Sequence, residues 1–175
     1  MTSPDSTGCV VLFTGLSGAG KSTLAEAVAA RLIQANYRVE ILDGDQIRRE
    51  LSKGLGFTPE DRIENLRRIG FVARLLARHG VMALIPAIAP YRQIRAELRA
   101  GAPAFCEVYV NAPLNVCEDR DTKGLYARAR AGDLPHFTGI GDPYEPPESP
   151  DIECRTDVET LETCVERILG ALLER

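Results

Sequence analysis

Short apolar runs rich in β-branched residues alternate along this chain with longer stretches in which apolar positions recur every three or four residues. The runs are CVVLFT at 9–14, VEIL at 39–42, VMALI at 81–85 and FCEVYV at 105–110, with a weaker one, IECR, at 152–155. Short apolar runs separated by helical periodicity mark strands buried on both faces and joined by crossover helices. The pattern predicts an α/β fold built on a mostly parallel five-stranded sheet with helices on either side.

The helical stretches have recognisable ends. Ser22 to Asn36 carries Leu24, Ala27, Val28, Leu32 and Ile33 as one stripe. Thr58 and Pro59 form an N-cap and first helical position, Glu60 and Asp61 follow in the first turn, and Gly80 stops the helix after His79. Pro90 opens a helix from Tyr91 to Ala100. The last helix starts after Asp157, and Val158, Leu161, Val165, Ile168, Leu169 and Leu172 are its expected inward face. Residues 123–150 break the pattern: a short basic helix dissolves into glycine and proline. So long a connection is usually a lid or binding segment, here about 121–150, with a plain surface insertion as the alternative.

Composition narrows the field. The 175 residues suffice for one substantial core, so a single domain is expected. A net charge of −4 speaks against binding nucleic acid or an anionic membrane by charge alone. No apolar run is long enough for a membrane span, and the polar N-terminus lacks the order of a targeting signal, which suggests an unprocessed cytoplasmic protein. The five cysteines are scattered with no CxxC spacing, as expected of reduced thiols filling a core.

The chemistry begins with Gly15-Leu16-Ser17-Gly18-Ala19-Gly20-Lys21-Ser22, which fits GxxxxGK[ST] between a strand and a helix. Its glycines let successive N–H groups turn toward one point, and the helix N-terminus adds partial positive charge there. Such a loop holds a nucleotide triphosphate. Lys21 would reach the β- and γ-phosphates, and Ser22 would help to hold Mg2+. No NKxD sequence for guanine is present, and VMALI runs into Pro86 without the acid that hydrolytic ATPases place there. The acids stand instead in LDGDQIRRE. Asp43 and Asp45, after the second strand, suit a kinase: one carboxylate acts on magnesium through water while the other accepts the proton of a substrate hydroxyl.

A second substrate would find Arg48 one turn after Asp45, and Arg62 with Asn65 one turn apart on the next helix. Arg67, Arg68, Arg74 and Arg78 read mostly as a solvated face. Phe57 and Phe137 lie in glycine-flanked loops, where they either stack on a flat base or plug their own loops.

With these residues in place, the chain resembles the adenylylsulfate (APS) kinases over nearly its whole length. The motifs are GLSGAGKST, LDGDQIR, LGFTPEDRIENLRRIG, APYRQIRAE, VNAPLNVCEDRDTKGLYARARAG and FTGIGDPYEPPESP, in that order. The resemblance implies a P-loop NTPase-type three-layer sandwich that transfers the γ-phosphoryl group of ATP to the 3′-hydroxyl of adenosine 5′-phosphosulfate for sulfate assimilation. It implies ATP on Gly15, Gly18, Ala19, Gly20, Lys21, Ser22 and Thr23 with Arg120. It implies the sulfate nucleotide on Asp45, Arg48, Arg62, Asn65, the backbone at Ile88 and Ala89, and Lys123, with its adenine between Phe57 and Phe137. Lys21, Asp43 and Asp45 would be catalytic, and Ser22 and Asp43 (through water) would serve the metal. Homodimers are usual in the family, and a functional link to an ATP sulfurylase is expected.

Three departures stand out. Ala89 replaces a serine that many members carry and some phosphorylate, so transfer without a phosphoenzyme at this position is expected. Gly141 replaces an acid in the lid. The segment before the first strand is short, which leaves little room for regulation by an N-terminal extension; most of it lies outside the residues described below. Two other functions use the same loop: a kinase for another small hydroxyl compound, and a nucleotide-sensing module without catalysis.

Overall fold

The computed structural model describes residues 8–174. In chain order the elements are β1 (Val10–Thr14), α1 (Lys21–Gln34), β2 (Arg38–Ile41), α2 (Gly44–Glu50), α3 (Pro59–Arg78), β3 (Val81–Pro86), α4 (Arg92–Gly101), β4 (Phe105–Asn111), α5 (Leu114–Arg120), α6 (Leu125–Arg130), β5 (Ile152–Arg155) and α7 (Leu161–Leu173).

The five strands lie in the order β2-β3-β1-β4-β5, and every pairing is parallel. β1 is central, with Leu12 opposite Ile85 on one side and Glu107 on the other. Its residues are all buried, which explains the unbroken apolar run. Side chains of β1 alternate between two cores. Val11 and Phe13 pack with α1 and α7, while Val10 and Leu12 pack with α3 and α4. Burying each such side chain contributes about 1.5–3 kcal/mol. The result is three layers, helix on sheet on helix. β2 is an edge strand, and its alternating exposure fits a strand flanked on one side only.

Helix ends follow the local chemistry. The Thr58 hydroxyl accepts from the Asp61 amide, Pro59 takes the first position, and α3 closes at His79 before Gly80 at φ 72°. Two expectations need correction. Ile33, assigned to the inward stripe of α1, is 58% exposed, because the buried face turns through Leu24, Ala25, Val28 and Leu32. The last helix starts later than expected, capped by Thr160, whose hydroxyl accepts from the Thr163 amide. Val158 therefore lies ahead of the helix, and Val158 and Leu161 are both exposed rather than inward. α2 and α5 have seven residues each, too few for a periodic signal. All five cysteines are buried, and none forms a disulfide. No helix among the described residues is long and apolar enough to cross a membrane.

Candidate active site

Most segments that carry candidate chemistry lie beyond the carboxyl end of a parallel strand, the edge where open α/β sheets bind ligands. The phosphate loop follows β1, Asp43 follows β2, Ile88 and Ala89 follow β3, Arg120 lies beyond β4, and Thr156 follows β5.

The loop is shaped by close packing. A Cβ on Gly15 would collide with the carbonyl oxygen of Val110, so the backbone passes there only as glycine. Gly20, at φ 101°, is the N-cap of α1 and offers no side chain to the first-turn amides. Those amides remain open to an anion, and the helix dipole favours one. Lys21 Nζ donates to the Leu16 carbonyl at 2.7 Å. Burial pushes its pKa down to about 8, opposed by the nearby Cys117 thiol and assisted by Lys123. Ser22 and Thr23 are exposed on the first turn of α1.

Asp43 caps α2. Its Oδ1 accepts from the amides of Asp45 at 3.0 Å and Gln46 at 2.9 Å, which fixes the carboxylate at the strand end. Asp45 points into solvent, with Oδ2 at 3.3 Å from Lys123 Nζ across the gap to residues 121–150. Two residues far apart in sequence are thereby joined.

The arginines separate into distinct positions. Arg48 donates to the Gly56 carbonyl at 2.9 Å, and its guanidinium lies 4.6 Å from the centre of the Phe57 ring. Burial and the neighbouring Arg62 lower its pKa. Arg62 donates through Nε to the Phe57 carbonyl at 2.8 Å, and through its terminal nitrogens to Thr138 Oγ1 and the His136 carbonyl. It is the clasp that brings the Phe57 loop against the segment containing Phe137. Asn65 is 6% exposed and its Oδ1 has no partner. Arg67 pairs with Glu97 and Arg68 with Glu64, as solvent-facing pairs.

The two phenylalanines stand in different surroundings. Phe57 is 63% exposed. Phe137 is half-buried, packed against the core and meeting Tyr126 edge-on at 5.0 Å. Little of residues 121–150 is regular, so this contact ties the segment to the core.

Ile88 and Ala89 are tied closely to the phosphate loop. The Ile88 carbonyl accepts from Thr14 Oγ1 at 2.6 Å and from the Gly15 amide at 3.4 Å. Ala89 is buried at φ 45°, a left-handed conformation unusual for alanine. Gly141 has room for a side chain, since an added Cβ would meet only the backbone of His136 and Phe137 at ordinary contact distance.

Beside the expected Arg120, two residues at the site, Thr156 and Tyr126, carried no sequence signal. Arg120 donates to the Gly18 carbonyl at 3.2 Å and the Thr156 carbonyl at 2.8 Å, while Thr156 Oγ1 donates to the Ala19 carbonyl at 2.7 Å. The hydroxyl of Tyr126, on α6, donates to the Ser17 carbonyl at 2.8 Å and so links α6 to the phosphate loop. Lone hydroxyls and tyrosines of this kind reveal themselves only through tertiary placement.

The donor set suits a hard cation shared with phosphate. Magnesium at such sites takes one or two protein oxygens and fills its shell with phosphate and water, and Ser22 Oγ and the uncapping oxygen of Asp43 are of that kind. A lysine and amides for phosphate, a carboxylate and a clasped aromatic loop together define the class of phosphate-loop kinases.

The particular family follows from comparison. The family profile described as adenylylsulphate kinase matches residues 7–155. The adenylyl-sulfate kinase of Microcystis aeruginosa is 62% identical over 167 residues, covering 95% of this chain and 92% of that protein. The Mycobacterium tuberculosis APS kinase in complex with AMPPNP and APS superposes with a TM-score of 0.91 at 43% identity, over 97% of this chain and 99% of that one. A hexameric APS kinase from Thiobacillus denitrificans gives a TM-score of 0.73 at 36% identity, over 98% of this chain and 30% of the other. The chain belongs to the adenylylsulfate kinase family.

Proposed function

We propose that this protein transfers the γ-phosphoryl group of ATP to the 3′-hydroxyl of adenosine 5′-phosphosulfate, giving 3′-phosphoadenosine 5′-phosphosulfate and ADP in sulfate assimilation. What carries the proposal is 62% identity to an adenylyl-sulfate kinase over 95% of the chain.

The open amides at the start of α1 and the Lys21 ammonium receive the β- and γ-phosphates. Arg120 and Thr156 stand beside the loop on the ATP side. Ser22 and, through water, Asp43 would hold Mg2+, which would supply charge neutralisation at the phosphates. Asp45 takes the proton of the 3′-hydroxyl as its oxygen bonds to the γ-phosphorus and the bond to the β–γ bridging oxygen breaks. Lys21 and Lys123 offset the charge spread over the moving group. Arg48, Arg62, Asn65 and the backbone at Ile88 and Ala89 hold the acceptor, whose adenine lies on Phe57 toward Phe137. The orphan Oδ1 of Asn65 supports an acceptor contact there, since a buried amide oxygen without a partner is costly until a ligand donates to it. Residues 121–150 act as a lid that excludes water and so protects ATP from hydrolysis.

The test is turnover of purified protein with Mg-ATP and adenosine 5′-phosphosulfate, with the product identified by mass. Gain of one phosphoryl group is expected. No turnover on this acceptor, with turnover on another small hydroxyl compound, overturns the proposal. With alanine at position 89, γ-labelled ATP should leave no covalent label there. We further propose that the whole chain forms one kinase unit, works as a homodimer in the cytoplasm, and hands its chemistry on from an ATP sulfurylase; light scattering of the purified protein tests the dimer.

A further inference from the structure

A buried polar cluster centres on Arg95, a residue of the APYRQIRAE stretch to which no role has been assigned so far. Arg95, on α4, is 3% exposed. Its three guanidinium nitrogens have separate partners: Nε meets Glu107 Oε1 at 2.9 Å, Nη1 donates to the Ala89 carbonyl at 2.6 Å, and Nη2 donates to the Glu145 carbonyl at 2.6 Å. The guanidinium also lies 5.8 Å from the centre of the Tyr144 ring. Tyr144 Oη and Thr14 Oγ1 are 2.9 Å apart. Because Thr14 donates its one hydroxyl proton to Ile88, Tyr144 is the donor to Thr14.

This cluster joins three parts of the site. Thr14 is the residue before the phosphate loop, Ile88 and Ala89 follow β3, and Tyr144 and Glu145 lie in the later part of residues 121–150. The middle part is strained: Ala89 is left-handed, and the following Pro90 disfavours the helical region for it further. Strain of this kind persists only where the surroundings over-determine the backbone, and the Nη1 bond to the Ala89 carbonyl is such a restraint. Burying a guanidinium is itself costly, so an apolar residue would serve better if the position had only to be filled.

We propose that Arg95 is a positioning residue for phosphoryl transfer. By gripping the carbonyls of Ala89 and Glu145 while paired to Glu107, it fixes the strained backbone under the acceptor relative to the phosphate loop and the base of the lid. This rests on the assignment of Ile88 and Ala89 to the acceptor given above.

Arg95→Lys tests it, since lysine keeps the charge beside Glu107 but lacks the planar fork that reaches two carbonyls at once. The variant should lose ~10-fold or more in kcat/KM for adenosine 5′-phosphosulfate, with KM for ATP within ~2-fold. Adding Ala89→Gly to Arg95→Lys should recover at least ~3-fold, because glycine adopts the left-handed angle without strain. Equal losses for both substrates, or no recovery with glycine, overturn the proposal. Where Arg95→Lys does not fold, Tyr144→Phe keeps the ring and removes only the bond to Thr14; it should show the same bias toward the acceptor at smaller size, and an unbiased or absent effect counts against the proposal. Amide exchange in the nucleotide-free variants separates this from a failure of the acceptor assignment. Faster exchange confined to residues 87–89 and to Tyr144 and Glu145 supports the clamp whichever acceptor the wild type uses, and unchanged exchange there overturns it.

Discussion

Lys21 carries the clearest electrostatic signature of any single residue here. Its ammonium is sunk in the loop, and burial brings the pKa to about 8. A bound polyphosphate favours the charged form, so ATP binding should draw a proton from solvent near that pH, and affinity should fall as pH rises above about 8. Calorimetric titration in buffers of different ionisation enthalpy measures the uptake. For the nucleotide-free fold the sign reverses: the unfolded chain holds this proton more tightly, so the lysine makes stability rise with pH between about 8 and 10.5. Asp45 is the second decisive residue. Asp45→Asn keeps the size and exposure of the side chain but removes the proton acceptor proposed above, so turnover should fall by roughly 10²-fold or more while thermal unfolding stays unchanged. A near-normal kcat would exclude it as the base.

Among the elements, α6 has a role out of proportion to its six residues. Its N-terminus is held by Asp121, whose carboxylate accepts from the amides of Tyr126 and Ala127, and Tyr126 then reaches Ser17 in the phosphate loop. Tyr126→Phe removes that bond, together with the hydroxyl's contact to the Cys117 thiol, and leaves the ring against Phe137. The loss should be about 0.5–1.5 kcal/mol of local stability, read as faster proteolytic cleavage within 121–150 and weaker protection of those residues by nucleotide. Unchanged cleavage would mean that α6 is held by apolar packing alone.

For the molecule as a whole, stability toward acid has an identifiable contributor. Glu159 accepts from the Arg155 amide and pairs with Arg167, tying the end of β5 to α7, and these bonds hold its pKa at about 2. A depressed carboxylate contributes stability that is present above its ordinary value of 4.5 and lost as pH falls toward about 2. Glu159→Gln should therefore flatten the fall of Tm across that range while lowering Tm at neutral pH. An unchanged slope would show that the pair does not survive in solution.

The strands and the long helices were legible because burial on two faces, or on one stripe, writes itself into the order of apolar residues. The phosphate loop was legible because close backbone approach demands glycine at fixed spacing, as Gly15 shows against Val110. α2 and α5 were not, being too short to repeat, and Val158 misled because an apolar residue before a cap looks like one after it. Phe137 could not be known to lean on Tyr126, nor Arg62 to reach Thr138, since both contacts join segments that no local rule pairs. The sequence by itself thus determined the strand and helix alternation, the cradle for phosphate and the family. Only the tertiary structure decided how Asp45 meets Lys123 and how Arg95 grips Ala89 and Glu145. Local sequence sets backbone angles and faces, but contacts across dozens of residues exist only once packing has fixed where each strand ends.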